Sequence, residues 1–231
     1  MGTIYLVRHG QASFGTNDYD RLTQTGFAQA RLLGAYFRFR NIRFDAVHTG
    51  TLRRHVETAH GIFEGHPEGG GGSEPERVAG LDEYNPVAVI MALTGRVATP
   101  DAMAERRDPA VLRDHFRLLR DALIAWAEGR SDPAGMPSWR TFQDGAVAAV
   151  VEARQRCADG NVLIVSSGGP IAAIVADNLQ APPRAAIDLN LRMRNSSVTE
   201  LSSNPRRHSL VSFNSLPHLD TNPDRALITY A

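Results

Sequence analysis

The stretch IYLVRHGQAS, from Ile4 to Ser13, joins an apolar run to an adjacent arginine and histidine. The run is short and partly β-branched, a pattern that predicts a buried strand. The strand ends in Arg8 and His9, and Gly10 follows at once. A cationic or near-cationic pair at the end of a buried strand is costly unless an anion meets it. We therefore expect an anion-binding site at this end of the strand.

Segments typical of strands and of helices alternate along the rest of the chain. This alternation predicts an α/β fold, a three-layer α/β/α sandwich with a mostly parallel sheet. Residues 1–231 are predicted to form a single domain, with a helical cap inserted at about 85–145. Further strands are predicted at 42–50, 161–169, 196–202 and 208–215, and helices at 27–40, 51–64, 110–129, 142–160 and 170–179.

The composition excludes several classes of function. Of the 231 residues, 42% are hydrophobic, and 25 cations balance 25 anions. A chain without net charge gives no reason to expect nucleic-acid or membrane partners. All the cations are arginines, since the sequence contains no lysine. Schiff-base, pyridoxal and Walker-type phosphate-loop chemistry, which need a lysine amine, are therefore excluded.

Cysteine content and hydropathy predict a cytoplasmic protein. A single cysteine, Cys157, cannot form an internal disulfide and suits a reducing compartment. The apolar run at the N-terminus is too short for a signal peptide, and no segment approaches the roughly 18 apolar residues of a membrane span. We expect no metal and no cofactor.

Three predicted strands end in groups that could meet around one ligand. In an open α/β sheet, ligands bind beyond the carboxyl ends of the strands. Arg8 and His9 follow the first strand, TGTLRR (49–54) lies at the end of the strand at 42–50, and SSGGP (166–170) lies at the end of the strand at 161–169. Guanidinium groups match phosphate oxygens, and the N–H groups at a helix start attract anions. A phosphoryl group is the ligand that this combination favours.

A phosphoryl group gives the imidazole of His9 a chemical role. Neighbouring arginines disfavour the imidazolium, so His9 would stay neutral and nucleophilic. Glu83, in the segment LDEY, is the best-placed acid for the leaving oxygen. The alternatives are a surface pair that caps a strand, for Arg8 and His9, and a solvated turn residue, for Glu83. Gly69–Gly72 are interpreted as a surface loop rather than a phosphate cradle.

Several segments together resemble the histidine phosphatase superfamily, the phosphoglycerate mutase-like proteins. They are LVRHG near the N-terminus, LTQTGFAQA, TGTLRRHVETA, LDE, VLIVSSGGPIAAI and the closing strands RNSSVTEL and LVSFNSLPHL. The resemblance covers most of the chain apart from roughly 85–145, where this family inserts variable helices. It implies a phosphoglycerate mutase-like fold and a metal-independent phosphomonoester hydrolase.

The resemblance also implies a role for individual residues. His9 is the nucleophile that becomes phosphorylated, Arg8 and Arg54 bind the phosphoryl group, and Glu83 donates the proton. Arg54 is chosen over its neighbour because it stands two residues after Leu52 and four before Thr58, and adjacent helical side chains point about 100° apart. Further assignments are Gln11, Ser167 and Gly168 as phosphate- or substrate-binding residues and His218 as a structural residue.

The chain departs from the family pattern at Ser167. The family has a second histidine immediately before the glycine pair, and a serine brings no positive charge in its place. Loss of such a donor typically costs on the order of 100- to 1000-fold in rate. Two hypotheses follow, a working but slower phosphatase and a non-catalytic phosphate-binding or regulatory protein. His48 or His55 could replace the missing imidazole, although a structural role is the simpler interpretation of each.

Phosphoglycerate mutase-type transfer is a lesser alternative. A mutase needs extra cations around its pocket, whereas the loop after RHG carries Asp18 and Asp20. We expect a small phosphorylated substrate, whose identity depends on the helical insertion. Arg106, Arg107, Arg113 and Arg117 in that insertion could contact an anion or solvate a helix face. A sheet edge or a cap helix could support a homodimer.

Overall fold

The computed structural model of the chain contains a six-stranded sheet in the order β3-β2-β4-β1-β5-β6. It describes residues 2–13, 20–70, 74–96, 109–157, 159–204, 207–220 and 222–230. The strands are β1 (Gly2–Arg8), β2 (Ala46–Thr49), β3 (Glu76–Arg77), β4 (Val162–Ser166), β5 (Val198–Asn204) and β6 (Arg207–Ser215).

Four neighbouring strands of the sheet are parallel. β1 pairs with β4, with Arg8 opposite Ser166, and β2 pairs with β4, with Thr49 opposite Val165. β3 continues the parallel set beside β2, while β5 and β6 run antiparallel at the other side. The predicted α/β fold with its mostly parallel sheet is confirmed. The carboxyl ends of β1, β4 and β2 therefore lie together at one edge.

Helices cover both faces of the sheet because side chains alternate along each buried strand. Tyr5 and Val7 of β1 belong to one apolar cluster, and Ile4 and Leu6 belong to another on the opposite face. The first cluster includes residues of α1 (Gln24–Phe39) and α2 (Arg53–Gly65), and the second includes residues of α5 (Trp139–Arg156) and α6 (Gly168–Asn178). The two clusters join the sheet to a layer of helices on each face, which gives three layers.

The remaining helices contribute to a third apolar cluster. These helices are α3 (Pro86–Thr94), α4 (Pro109–Ala127) and α7 (Pro183–Asn190), of which α7 lies outside the range predicted for a cap. Trp126 of α4 packs edge-on against Trp139, with ring centroids 5.2 Å apart, and both side chains are buried. Ala173 and Ala176 of α6 join this cluster, so these helices pack on the layer that contains α6.

Some residues singled out in the sequence lie outside the described ranges. They are Gly71, Gly72, Asp18, Arg106 and Arg107. Arg113 and Arg117 are described and exposed, and Arg117 pairs with Asp114 on its own helix at 3.0 Å. Within the described ranges, no helix has the length and apolar character required to cross a membrane.

Candidate active site

His9 lies just beyond the end of β1, and its imidazole is buried with 3% of its surface exposed. Its Nδ1 lies 2.7 Å from the carbonyl oxygen of Gly10. A carbonyl oxygen only accepts hydrogen bonds, so Nδ1 carries the proton and Nε2 keeps its lone pair. Burial holds the pKa of His9 well below its usual value, and the charges of Arg54 and Arg8 lower it further. His9 is therefore a neutral imidazole whose Nε2 can attack an electrophile.

The backbone of His9 is fixed from two sides. Its N–H donates to the carbonyl of Ser166 at 2.9 Å, and its carbonyl accepts from the N–H of Ser196 at 3.1 Å. Ser196 has a positive φ of 56°, and its hydroxyl lies 2.9 Å from Nε2 of His218. Burial lowers the pKa of His218 to about 3. A neutral His218 thus supports the turn that holds His9, rather than meeting a ligand itself.

The two adjacent arginines at the start of α2 have different environments. Arg54 is buried, with 5% of its surface exposed, whereas Arg53 is exposed and pairs with Glu57 at 2.6 Å. Nη1 of Arg54 donates to a carboxylate oxygen of Asp20 at 2.8 Å, and the other oxygen of Asp20 accepts from the N–H of Arg53 at 2.8 Å. The carboxylate of Asp20 thus lies at the N-terminal, positive end of the α2 dipole, beside the buried guanidinium of Arg54.

Arg8 approaches the site from the end of β1. Its Nη1 donates to the carbonyl oxygens of Met193 and, at 2.8 Å, of Tyr230. These contacts fix the orientation of the planar guanidinium group. Its charge lowers the pKa of His9 and opposes the rise in the pKa of Glu83, so it lies within electrostatic reach of both groups.

Glu83 follows a 3-10 turn (Ala79–Leu81) and faces the start of α6. Its Oε2 accepts from the N–H of Gly169 at 3.3 Å. Burial raises the pKa of its carboxyl, although the charges of Arg54 and Arg8 oppose this rise. A carboxyl group with a raised pKa can carry a proton nearer neutral pH and deliver it as a general acid.

The two glycines that begin α6 make room for neighbouring side chains. A Cβ at Gly169 would lie 2.1 Å from Oε1 of Glu83, and a Cβ at Gly168 would lie 2.4 Å from Oδ1 of Asn190. A side chain at Gly169 would therefore displace the carboxyl group. Gly168 makes room for Asn190 in the same way. The signal in the sequence was the glycine pair itself, which did not show which side chain each glycine accommodates.

Gln11 and His48 are both placed against protein groups. Oε1 of Gln11 accepts from the hydroxyl of Thr23, the residue that caps α1, at 2.8 Å. Nδ1 of His48 lies 3.4 Å from Glu76 on the neighbouring strand β3. The side-chain oxygen of Gln11 thus supports the start of α1, and His48 pairs across the sheet.

His55 lies in the site and contacts Ser167. Its Nε2 lies 2.7 Å from Oγ of Ser167, and both side chains are fully buried. The ring centroids of His55 and His9 are 5.7 Å apart. Nδ1 of His55 lies 3.8 Å from a carboxylate oxygen of Asp82. No pattern in the sequence predicts a place for Asp82 in this site, other than its position beside Glu83.

The assembled groups suit a tetrahedral anion. One neutral imidazole, two guanidinium charges and a carboxyl with a raised pKa lie at the converging ends of β1, β4 and β2. Such a set can neutralise phosphoryl oxygens, attack phosphorus and protonate a leaving oxygen. The described residues contain no cluster of three or more histidine, cysteine, aspartate or glutamate side chains that could hold a metal ion.

Comparison with known proteins gives a family and a fold. A model of the histidine phosphatase superfamily (branch 1) matches residues 4–90 and 104–216. No curated protein was found to match the sequence.

Three solved structures illustrate the similarity of fold. A phosphoserine phosphatase mutant from Entamoeba histolytica, in complex with phosphoserine, is 19% identical over 95% of this chain and 100% of its own, with a TM-score of 0.66. Phosphoglycerate mutase from Bacillus anthracis is 20% identical over 94% of both chains, with a TM-score of 0.65. A mycobacterial glucosyl-3-phosphoglycerate phosphatase is 23% identical over 92% of this chain and 98% of its own, with a TM-score of 0.63.

Proposed function

The chain belongs to the histidine phosphatase superfamily (branch 1), and from that membership we propose that it is a phosphatase that hydrolyses small phosphomonoesters through a phosphohistidine on His9. The observation that carries the proposal is the state of His9. The Gly10 carbonyl fixes the proton on Nδ1, and burial with two arginine charges keeps the ring neutral. Nε2 is thus available as a nucleophile, at a position where Arg8 and Arg54 can bind a phosphoryl anion.

The reaction has two steps. Nε2 of His9 attacks phosphorus, the ester P–O bond breaks, and Glu83 gives its proton to the leaving alcohol oxygen. The Glu83 carboxylate then takes a proton from a water molecule whose oxygen attacks phosphorus, and the P–N bond breaks to release phosphate. Arg8 and Arg54 neutralise the phosphoryl oxygens in both steps. No metal is required, because the guanidinium groups supply the positive charge.

Ser167 stands, in this proposal, where the family has its second histidine. The retained nucleophile, arginines and acid favour a working enzyme over a phosphate-binding protein that has lost its activity. Hydrolysis is preferred to mutase-type transfer because Asp20 places a negative charge on Arg54, where a mutase needs additional cations.

The test uses turnover and trapping together. The purified protein is assayed with 4-nitrophenyl phosphate and a panel of small phosphate esters, with and without EDTA. We expect turnover that is insensitive to EDTA, and an acid-labile phosphate on His9 after rapid quenching. His9→Ala should abolish both signals.

Two adjacent arginines provide a matched pair of variants. Arg54→Ala should lower kcat/KM by on the order of 100-fold or more, because one charged donor to the phosphoryl group is lost. Arg53→Ala, at an exposed position, should leave it within about threefold. Phosphate binding without turnover or phosphoenzyme in the wild type would refute hydrolysis and leave the phosphate-binding alternative.

A further inference from the structure

We propose that His55 and Ser167 form a hydrogen-bonded relay that delivers positive charge to the phosphoryl group during transfer. This inference rests on the proposed phosphatase function and deepens it. Ser167 would touch a phosphoryl oxygen as a catalytic residue. His55 would act through Ser167 as a positioning residue, with Asp82 as the second partner of its imidazole.

The placement of Ser167 follows from the sheet. Ser166 lies opposite Arg8 in the β1–β4 ladder, and its carbonyl accepts the N–H of His9 at 2.9 Å. Ser167 is the next residue, so it and His9 lie side by side at the ends of adjacent parallel strands. Ser167 is the N-cap residue of α6, and the backbone N–H groups at the start of a helix can bind an anion. A phosphoryl group on Nε2 of His9 would therefore lie next to the Ser167 hydroxyl.

The imidazole of His55 is held on one side only. Nε2 contacts Oγ of Ser167 at 2.7 Å, while the buried Nδ1 has no hydrogen-bond partner among the described residues. The carboxylate of Asp82 lies 3.8 Å away, too far for a hydrogen bond but close enough for an ion pair. Asp82 is itself fixed, because one of its oxygens accepts the N–H of Thr51 at 2.6 Å. A protonated His55 would gain a partner that the neutral ring lacks.

Glycine at position 50 preserves this arrangement. A Cβ there would lie 2.2 Å from Nδ1 of His55 and 2.5 Å from Oδ1 of Asp82. Any side chain at Gly50 would therefore enter the space between the imidazole and the carboxylate. The backbone just after β2 thus leaves open the space in which these two groups interact.

The charges that face His55 set its protonation. Arg54 lies next to it on the same helix, the carboxylate of Asp82 lies 3.8 Å from its Nδ1, and the neutral ring of His9 has its centroid 5.7 Å away. Burial and the charge of Arg54 hold the pKa of His55 well below its usual value. The ring is therefore neutral before an anion binds.

Arrival of a phosphoryl dianion changes this balance. The added negative charge favours the imidazolium, so His55 takes up one proton from solvent. Nε2–H then donates to Oγ of Ser167, the serine hydroxyl hydrogen turns to a phosphoryl oxygen, and Nδ1–H faces Asp82. A charge-assisted hydrogen bond of this kind is roughly twice as strong as a neutral one. The serine hydroxyl can then serve where an imidazole would otherwise be needed.

Kinetics of two His55 variants test the relay. His55→Phe keeps the ring volume without a hydrogen bond and should lower kcat by about 100-fold with little change in KM. His55→Gln keeps a side-chain N–H without a charge and should recover part of that loss. Recovery by Gln separates a positioning role from a packing role. Equal kcat in the wild type and in both folded variants would overturn the relay. An acid-stable phosphate on Ser167 would also overturn it, because Ser167 would then be the nucleophile and His55 its base.

Proton uptake tests the same inference without turnover. Sulfate is a tetrahedral dianion that does not itself titrate near neutral pH, and its binding is measured by calorimetry in buffers of different ionisation enthalpy. We expect uptake of about one proton by the wild type and by His9→Asn, but not by His55→Gln. Uptake that persists in His55→Gln would overturn the relay. A wild type that binds sulfate with proton uptake yet hydrolyses no ester would refute the proposed function and leave the relay standing.

Discussion

Gly169→Ala should impair proton donation by Glu83 while leaving nucleophilic attack by His9 intact. The added methyl group would lie 2.1 Å from Oε1 of Glu83, whereas ordinary contacts begin at 3.4 Å. The carboxyl group must therefore retreat by roughly 1.3 Å, and a misplacement of about 1 Å can cost on the order of 100-fold in rate. The methyl group would also lie 2.8 Å from the ring of Tyr84, and none of its three nearest atoms belongs to His9 or to the two phosphate arginines. We therefore expect attack on phosphorus to be preserved.

Rapid-quench measurement of phosphoenzyme formation gives the assay. With an alkyl phosphate, whose leaving oxygen must be protonated, the phosphorylation rate should fall by about 100-fold. With 4-nitrophenyl phosphate, whose leaving group needs no proton, the rate should stay within about threefold. Gly168→Ala is the comparison variant, since the atoms nearest its methyl group belong to Asn190 and not to Glu83. Any loss of rate that it causes should be the same for both substrates. A folded Gly169→Ala protein that slows both substrates equally would show that Glu83 is not the acid.

Three further predictions concern charge and pH. Asp20→Asn removes the anion that competes for Arg54, so inorganic phosphate should bind roughly fivefold more tightly in calorimetry, in keeping with about 1 kcal/mol for a partly exposed ion pair. The acid limb of the kcat/KM profile should lie well below pH 6.5, because the pKa of His9 is lowered. The basic limb requires a protonated Glu83, so it should lie above the usual range of a carboxyl pKa and should vanish in Glu83→Gln. The pKa of His218 falls from 6.5 to about 3 on folding. The free energy of unfolding should therefore decrease as the pH falls from 6.5 toward 3, by up to about 1.4 kcal/mol per pH unit. Urea titrations of His218→Gln should show a smaller decrease over the same range.

The sequence predicted those features of the site that depend on local patterns. Apolar runs located the strands, and the rule that ligands lie beyond the carboxyl ends of parallel strands brought Arg8, Arg54 and Glu83 toward His9. The resemblance to the family motif selected Arg54, helical geometry indicated that Arg53 and Arg54 should not both face the site, and the structure buries Arg54 and exposes Arg53.

Contacts between distant side chains were beyond the reach of those patterns. His55 and Ser167 are 112 positions apart, and their contact depends on β4 lying beside β2, which hydrophobic periodicity does not specify. Both histidines considered as substitutes occupy positions where a structural role was the simpler interpretation. The structure places the ring of His55 beside that of His9 and pairs the buried His48 with Glu76 of the neighbouring strand. The contact of Asp20 with Arg54 was hidden for the same reason, since a loop residue carries no periodic signal.

The position of β1 within the sheet has a consequence for biosynthesis. β1 is made before its two neighbours, β4 and β5, which begin at Val162 and Val198. The carbonyl of His9 likewise has no partner until Ser196 has been made. Because synthesis proceeds from the N-terminus, one edge of β1 stays unpaired until β4 has emerged from the ribosome, and the other stays unpaired until β5 has emerged. A nascent polypeptide that has not reached β5 therefore carries His9 without the strand and the Ser196 contact that hold it in place.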